Sequence, residues 1–173
     1  MLNMQPSLCA RCALQGRTCC QGREIHITPG DIRRISAVTG SLDYVEWART
    51  IDPAYLDQTD DPVWRQHVFR HDSARRILKR QPNGDCFFLG PQGCLLAMEV
   101  RPLLCRLHPF TYTADHIDNE PDADCPRHLL FSGESLFEAV HTSRELAWQW
   151  HHQLYEEIKA DDDNNRADLR PSL

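Results

Sequence analysis

Eight cysteines constrain this chain more than any other feature of its sequence. They are Cys9, Cys12, Cys19, Cys20, Cys86, Cys94, Cys105 and Cys125, in the pattern C-x2-C-x6-C-C followed downstream by C-x7-C-x10-C-x19-C. The first ten residues, MLNMQPSLCA, carry neither a basic n-region nor an apolar h-region. No stretch approaches the roughly 18 apolar residues that span a bilayer, so the sequence predicts a cytoplasmic protein with no membrane partner. Reducing cytosol keeps thiols free, and so many there point to metal ligation or redox chemistry, not a disulfide framework.

All eight are candidate metal ligands. A C-x2-C pair lets two thiolates reach one ion from a tight loop, a common opening of both zinc and iron–sulfur sites. In extended chain, successive side chains point to opposite sides, so vicinal Cys19 and Cys20 need not serve the same ion. More than one metal ion per chain, or one polynuclear cluster, fits this better than a single centre. Two four-sulfur sites, a zinc cluster with bridging thiolates, and an iron–sulfur cluster beside a zinc all remain open. Thiolate sulfur suits zinc and iron–sulfur chemistry alike.

Composition places few further limits. At 173 residues, with 41% apolar and 25% charged residues, the chain reads as one domain somewhat poor in core formers. Bound metal can supplement such a core. The net charge of −6, with Lys and Arg scattered, leaves no footprint for nucleic acid. Residues 1–8 read as a flexible start, 9–160 as the cysteine-bearing domain and 161–173 as an acidic disordered tail.

The elements predict a helix-rich α+β fold, with short hairpin strands and loops organised around the cysteines and a long C-terminal helix. The first cysteines fall in a glycine-containing loop, then Ile25–Ile27 forms a short strand. Thr28 caps a helix with Pro29 at its first position, Asp31 at the positive end of its dipole and Gly40 as its stop. Ile32, Ile35 and Val38 give this helix an apolar stripe, and Ser41 caps a second helix carrying Tyr44, Val45 and Trp47. Residues 52–62, rich in proline and aspartate, form an exposed connection. Strands at Arg76–Arg80 and Cys86–Leu89 flank a turn at Pro82-Asn83-Gly84. A helical turn over 96–100 ends at Arg101, because Pro102 disfavours helix before it. Thr111–Ile117 is a strand, followed by a turn at Asn119–Pro121. Ser132 or Ser135 caps a helix running to about Ala160, with Leu136, Phe137, Val140, Ala147, His151, Leu154 and Ile158 on one face.

The N-terminal C-x2-C-x6-C-C, together with GDCFFLGPQGCLLAMEVRPLLCRLHPF, resembles the YkgJ-type CxxCxxCC cysteine-cluster family, described as zinc- or iron-chelating and found also in a flagellin lysine methylase. The most specific part is Arg101-Pro102-Leu103-Leu104-Cys105-Arg106 with Pro109-Phe110, similar to the family's Arg-Pro-x-x-Cys-Arg-x-aromatic-Pro signature. Where the family usually has the aromatic residue this chain has His108. The resemblance implies metal chelation. It also opens an alternative, a redox or protein-modifying enzyme using the metal centre, yet no glycine-rich strand-to-helix nucleotide loop is present.

His108 and His128 each follow a cysteine at C-x2-H spacing and are candidate additional ligands, although packing roles are the commoner fate of histidine. His67 and His71 stand four apart without the glutamate of a zincin motif. Arg101 and Arg106 flank Cys105, where guanidinium can offset thiolate charge while bonding carbonyls or sulfur. Trp148, Trp150 and Tyr155 read as core residues of the last helix. No matched acid–base pair stands out, so no catalytic residue is assigned.

Overall fold

The computed structural model describes residues 5–16, 18–50 and 52–161. Its first element, α1 (Leu8–Leu14), occupies the segment expected to be a loop, because Leu, Ala and Arg favour helix and the Ser7 hydroxyl accepts from the Ala10 amide. Leu8, expected in the flexible start, is buried. One helical turn therefore carries both Cys9 and Cys12, three apart and so on one face. Residues 1–4 lie outside the described residues.

Helix α2 (Pro29–Thr39) follows the sequence closely. Thr28 and Asp31 form a reciprocal capping box, and Gly40 ends the helix at φ 67°, the left-handed region that glycine enters without penalty. At Gly30 the Glu157 carboxylate occupies the space a Cβ would need, so a larger residue there would push that carboxylate off Thr28 and Arg34. Of the predicted stripe, Ile35 is buried and Ile32 packs at the same cluster, but Val38 is exposed.

The predicted second helix is instead strand β1 (Val45–Arg49), paired antiparallel with β2 (Ala74–Leu78) from Val45↔Leu78 to Arg49↔Ala74. The Ser41 signal was local, whereas the partner that decides this segment lies about thirty residues downstream. On its other side β2 takes up the predicted Ile25–Ile27 segment: the Ile27 amide donates to the Arg76 carbonyl at 3.2 Å, and the Leu78 amide to the Ile25 carbonyl at 2.8 Å. All of β2 is buried, cations included. Arg75 pairs with Glu24 at 3.0 Å, and Arg76 pairs with Asp161. Asp161, expected to begin the solvated tail, is thus buried, and residues 162–173 lie outside the described residues. His26 beside these arginines is pushed down to about 3, first by burial and then by their charge.

Between these strands Asp52 caps α3 (Pro53–Leu56), a single turn within the expected connection, and Asp61 caps α4 (Pro62–Val68). With β2 committed to β1, the predicted hairpin at 76–89 keeps its turn but only one bridge, Arg80↔Cys86. A two-residue hairpin follows, β3 (Leu89–Gly90) with β4 (Gly93–Cys94). The turn expected before Pro102 is closed by the Val100 and Arg101 amides on the Ala97 carbonyl at 2.9 and 3.1 Å, and a helix not expected follows: α5 (Leu103–Leu107) starts where Asp31 accepts the Leu103 amide at 3.0 Å. Strands β5 (Phe110–Tyr112) and β6 (Ile117–Pro121) form a hairpin, so Asn119–Pro121 is strand and the turn lies at 113–116.

The long terminal helix is broken. After α6 (Leu136–Ala139), capped by the Ser135–Glu138 box, His141 turns left-handed at φ 57°, and Ser143 caps α7 (Arg144–Lys159). The predicted apolar face still holds, with Val140, Ala147, His151, Leu154 and Ile158 buried.

Three small apolar clusters result. Trp64, Val68, Leu103, Leu107, Leu154, Tyr155 and Ile158 join α4, α5 and α7. Ile27, Ile35, Tyr44, Leu78, Phe88 and Leu96 form the second, and Leu8, Phe110, Ala139 and Val140 the third. Tyr155 donates its hydroxyl proton to Asp61, and Trp150 packs at the first cluster, while Trp148 is half-exposed. Among the described residues no helix is long and apolar enough to cross a membrane.

Candidate metal centre

Six segments carry the eight cysteines. Helix α1 supplies Cys9 and Cys12. The following turn supplies Cys19 and Cys20, with the Cys20 amide bonded to Thr18 Oγ1 at 3.0 Å. The Cys20 carbonyl accepts the Cys86 amide at 2.8 Å, which fastens this turn to the middle of the chain. Cys94 sits on β4, which packs on α1 through Gly93 beside Ala10. Cys105 is on α5, whose start is fixed by Asp31, and Cys125 follows β6 in a turn closed by its amide on the Asp122 carbonyl at 3.0 Å.

All eight line one cavity of ≈ 260 Å³ where the three apolar clusters meet, and none is joined in a disulfide. Among the described residues no three of His, Cys, Asp or Glu converge closely enough to form a ready ion site. The cysteines share a cavity, not a closed coordination shell.

Burial dominates the electrostatics of this cavity. It pushes Cys9 up to about 11 and Cys86 up to about 12, with neighbouring thiols adding to the effect. Cys12, Cys94 and Cys125 are raised, and Cys105 well raised, for the same leading reason. The vicinal pair divides its proton. The Cys19 thiol donates to Cys20, which raises Cys19 and lowers Cys20, and Thr18 and the Arg101 guanidinium also favour the Cys20 thiolate. Metal-free, such a cavity holds mostly neutral thiols at neutral pH. A soft cation entering it displaces protons.

The donor chemistry fits such a cation: several soft sulfurs, buried or partly buried, with a compensating cationic side chain. That side chain is Arg101, whose Nε donates to the Leu96 carbonyl at 2.9 Å and whose guanidinium charge favours the Cys20 and Cys94 thiolates. Arg106 acts at one remove. Its Nε donates to the Arg101 carbonyl at 2.8 Å and Nη2 to the Glu99 carbonyl, clamping the loop that presents Arg101, and it does not line the cavity.

His108 lines the cavity at the end of α5, with its pKa lowered by burial. His128 is exposed and off the cavity, in a single helical turn (Arg127–Leu129). His67 ends near the close of α4, His71 falls beyond the helix, and neither lines the cavity. Sequence spacing gave no sign of Arg23. It also lines the cavity and bridges Asp122 at 3.2 Å and Asp124 at 2.7 Å, tying the Cys19–Cys20 turn to the Cys125 turn. The acidic Asp122-Ala123-Asp124 run before Cys125 was the only signal for it.

Fold and cavity together define a class: a small α+β protein with three small apolar clusters and a cysteine-lined cavity where they meet. Residues 8–126 match the CxxCxxCC family, described as “Putative zinc- or iron-chelating domain”, and the chain belongs to that family. No curated protein and no solved structure matches the chain significantly.

Proposed function

We propose that this is a metal-chelating protein of the cytoplasm. Cys9, Cys12, Cys19, Cys20, Cys86, Cys94, Cys105 and Cys125 hold zinc ions or an iron–sulfur cluster, with more than one metal ion per chain. The observation that carries this reading is the common cavity reached by cysteines from six segments. Eight thiols lining one cavity, with Arg101 beside them, have little use where aliphatic side chains would fill the space better. When bound, the metal supplies cross-links between α1, the hairpins, α5 and the Cys125 turn.

The role proposed for the metal is structural. Apparent binding free energies of roughly 10–16 kcal/mol for structural zinc rival the ~5–15 kcal/mol stability of a whole domain. The test is anaerobic purification, elemental analysis and an absorption spectrum, followed by chelation and thermal melting. Two or more zinc ions per colourless chain, or iron with sulfide and a brown chromophore, is the expected result, with a lower melting temperature after chelation. A metal-free protein, or a melt that ignores the chelator, contradicts the proposal.

A further inference from the structure

Resting on that reading, we propose that His108 supplies a nitrogen ligand to the metal centre, making its donor set mixed instead of all-sulfur. The position carries the argument. Cys105 and His108 stand three residues apart at the C-terminal end of α5, the spacing that brings two side chains to one helix face, and both line the cavity. His108 is the only histidine in that lining.

Its ring makes no hydrogen bond to any described residue. His108 is only partly exposed, and it contrasts with His26 and His151, the two buried histidines. His26 Nδ1 bonds the Arg76 carbonyl at 2.9 Å, and His151 Nε2 the Thr113 carbonyl at 2.7 Å. Those two are satisfied packing residues. His108 instead lines the cavity with its ring unbonded to any described residue, and burial favours the neutral form that can donate a lone pair. Asp122 faces it electrostatically, as a carboxylate commonly does behind a metal-bound histidine, while Arg23 holds that carboxylate in place.

Neutral imidazole is a ligand for zinc and also for iron in mixed cysteine–histidine clusters, so the proposal does not depend on which metal is present. A nitrogen in the shell lowers its net negative charge by one for each thiolate it replaces. It can also leave a cysteine uncoordinated.

X-ray absorption at the edge of whichever metal the anaerobically purified full chain contains tests this directly. Metal–sulfur scattering plus the outer-shell signature of an imidazole is expected in the unmodified protein. His108→Phe, which keeps a flat ring of similar size, should lose that signature and retain the sulfur shell, while His128→Phe should change nothing. His108→Asn serves as the second variant should the Phe protein load poorly. An all-sulfur shell in the unmodified protein, or an imidazole that persists in the folded His108 variants, overturns the proposal. Chelation itself would still stand in both cases. Absence of bound metal overturns the proposed function and this inference with it.

Discussion

Replacing Asp31 with alanine should destabilise the protein and loosen the metal centre together. The carboxylate is fully buried and accepts three hydrogen bonds: the Thr28 amide at 3.0 Å, the Leu103 amide at 3.0 Å and Arg34 Nη2 at 2.6 Å. It thereby closes the cap of α2 and fixes the start of α5, two residues before Cys105. In Asp31→Ala both amides lose their partner inside the protein. A buried donor left unsatisfied costs ~1–3 kcal/mol, so the pair costs about 2–6 kcal/mol. Arg34 adds little, because Glu157 still holds it at 2.7 Å. Burial raises the Asp31 pKa above the ordinary carboxylate value, so the ionised group carries an opposing desolvation cost. Asp31→Asn keeps an acceptor and sheds that cost, and should therefore be milder than the alanine variant. Urea denaturation of the metal-loaded proteins reads the difference, alongside chelator competition for metal affinity. A loss under ~1 kcal/mol in Asp31→Ala would mean that the carboxylate is not the joint between α2 and α5.

Two further outcomes concern the cavity. In the metal-free protein most thiols have folded pKa values above the ordinary 9.0, so they contribute stability that is present below pH 9 and lost as pH rises toward about 11 and 12, the values of Cys9 and Cys86. Cys20 alone acts in the opposite sense. Metal-free urea midpoints should therefore fall above pH 9, whereas metal affinity should weaken on acidification as protons compete for sulfur; midpoints that rise through the alkaline range refute the first statement. Arg101→Met should remove the bond to the Leu96 carbonyl and the positive charge beside Cys20 and Cys94, and weaken metal binding about 10- to 100-fold by chelator competition, with the fold retained by circular dichroism.

What the sequence revealed and what it hid follow from the range of the forces involved. Helix α2 was legible because Thr28, Pro29, Asp31 and Gly40 act within a turn of where they stand, and the buried face of α7 was legible from its period. Strand β1 was not, since Ser41 and the apolar Tyr44, Val45 and Trp47 are compatible with helix until β2 arrives to pair with them. The break at His141 carries no glycine or proline to announce it. At the candidate site the eight cysteines were read as metal ligands, and all eight line one cavity. Their grouping was beyond reach, and so was Arg23, whose partners lie about a hundred residues away. Arg101 could be placed beside the sulfur from its adjacency to the signature, but the division of labour with Arg106 required the loop over 96–101.

Three apolar clusters in place of one core also shape how such a molecule comes apart. Each cluster holds only a handful of side chains and borders the thiol-lined junction through residues such as Leu8, Phe88 and Leu104. Losing the clasp at the junction would let the three lobes breathe separately, with amide exchange accelerating in β3, β4 and α1 before α7, so that ion release and local opening become a single event.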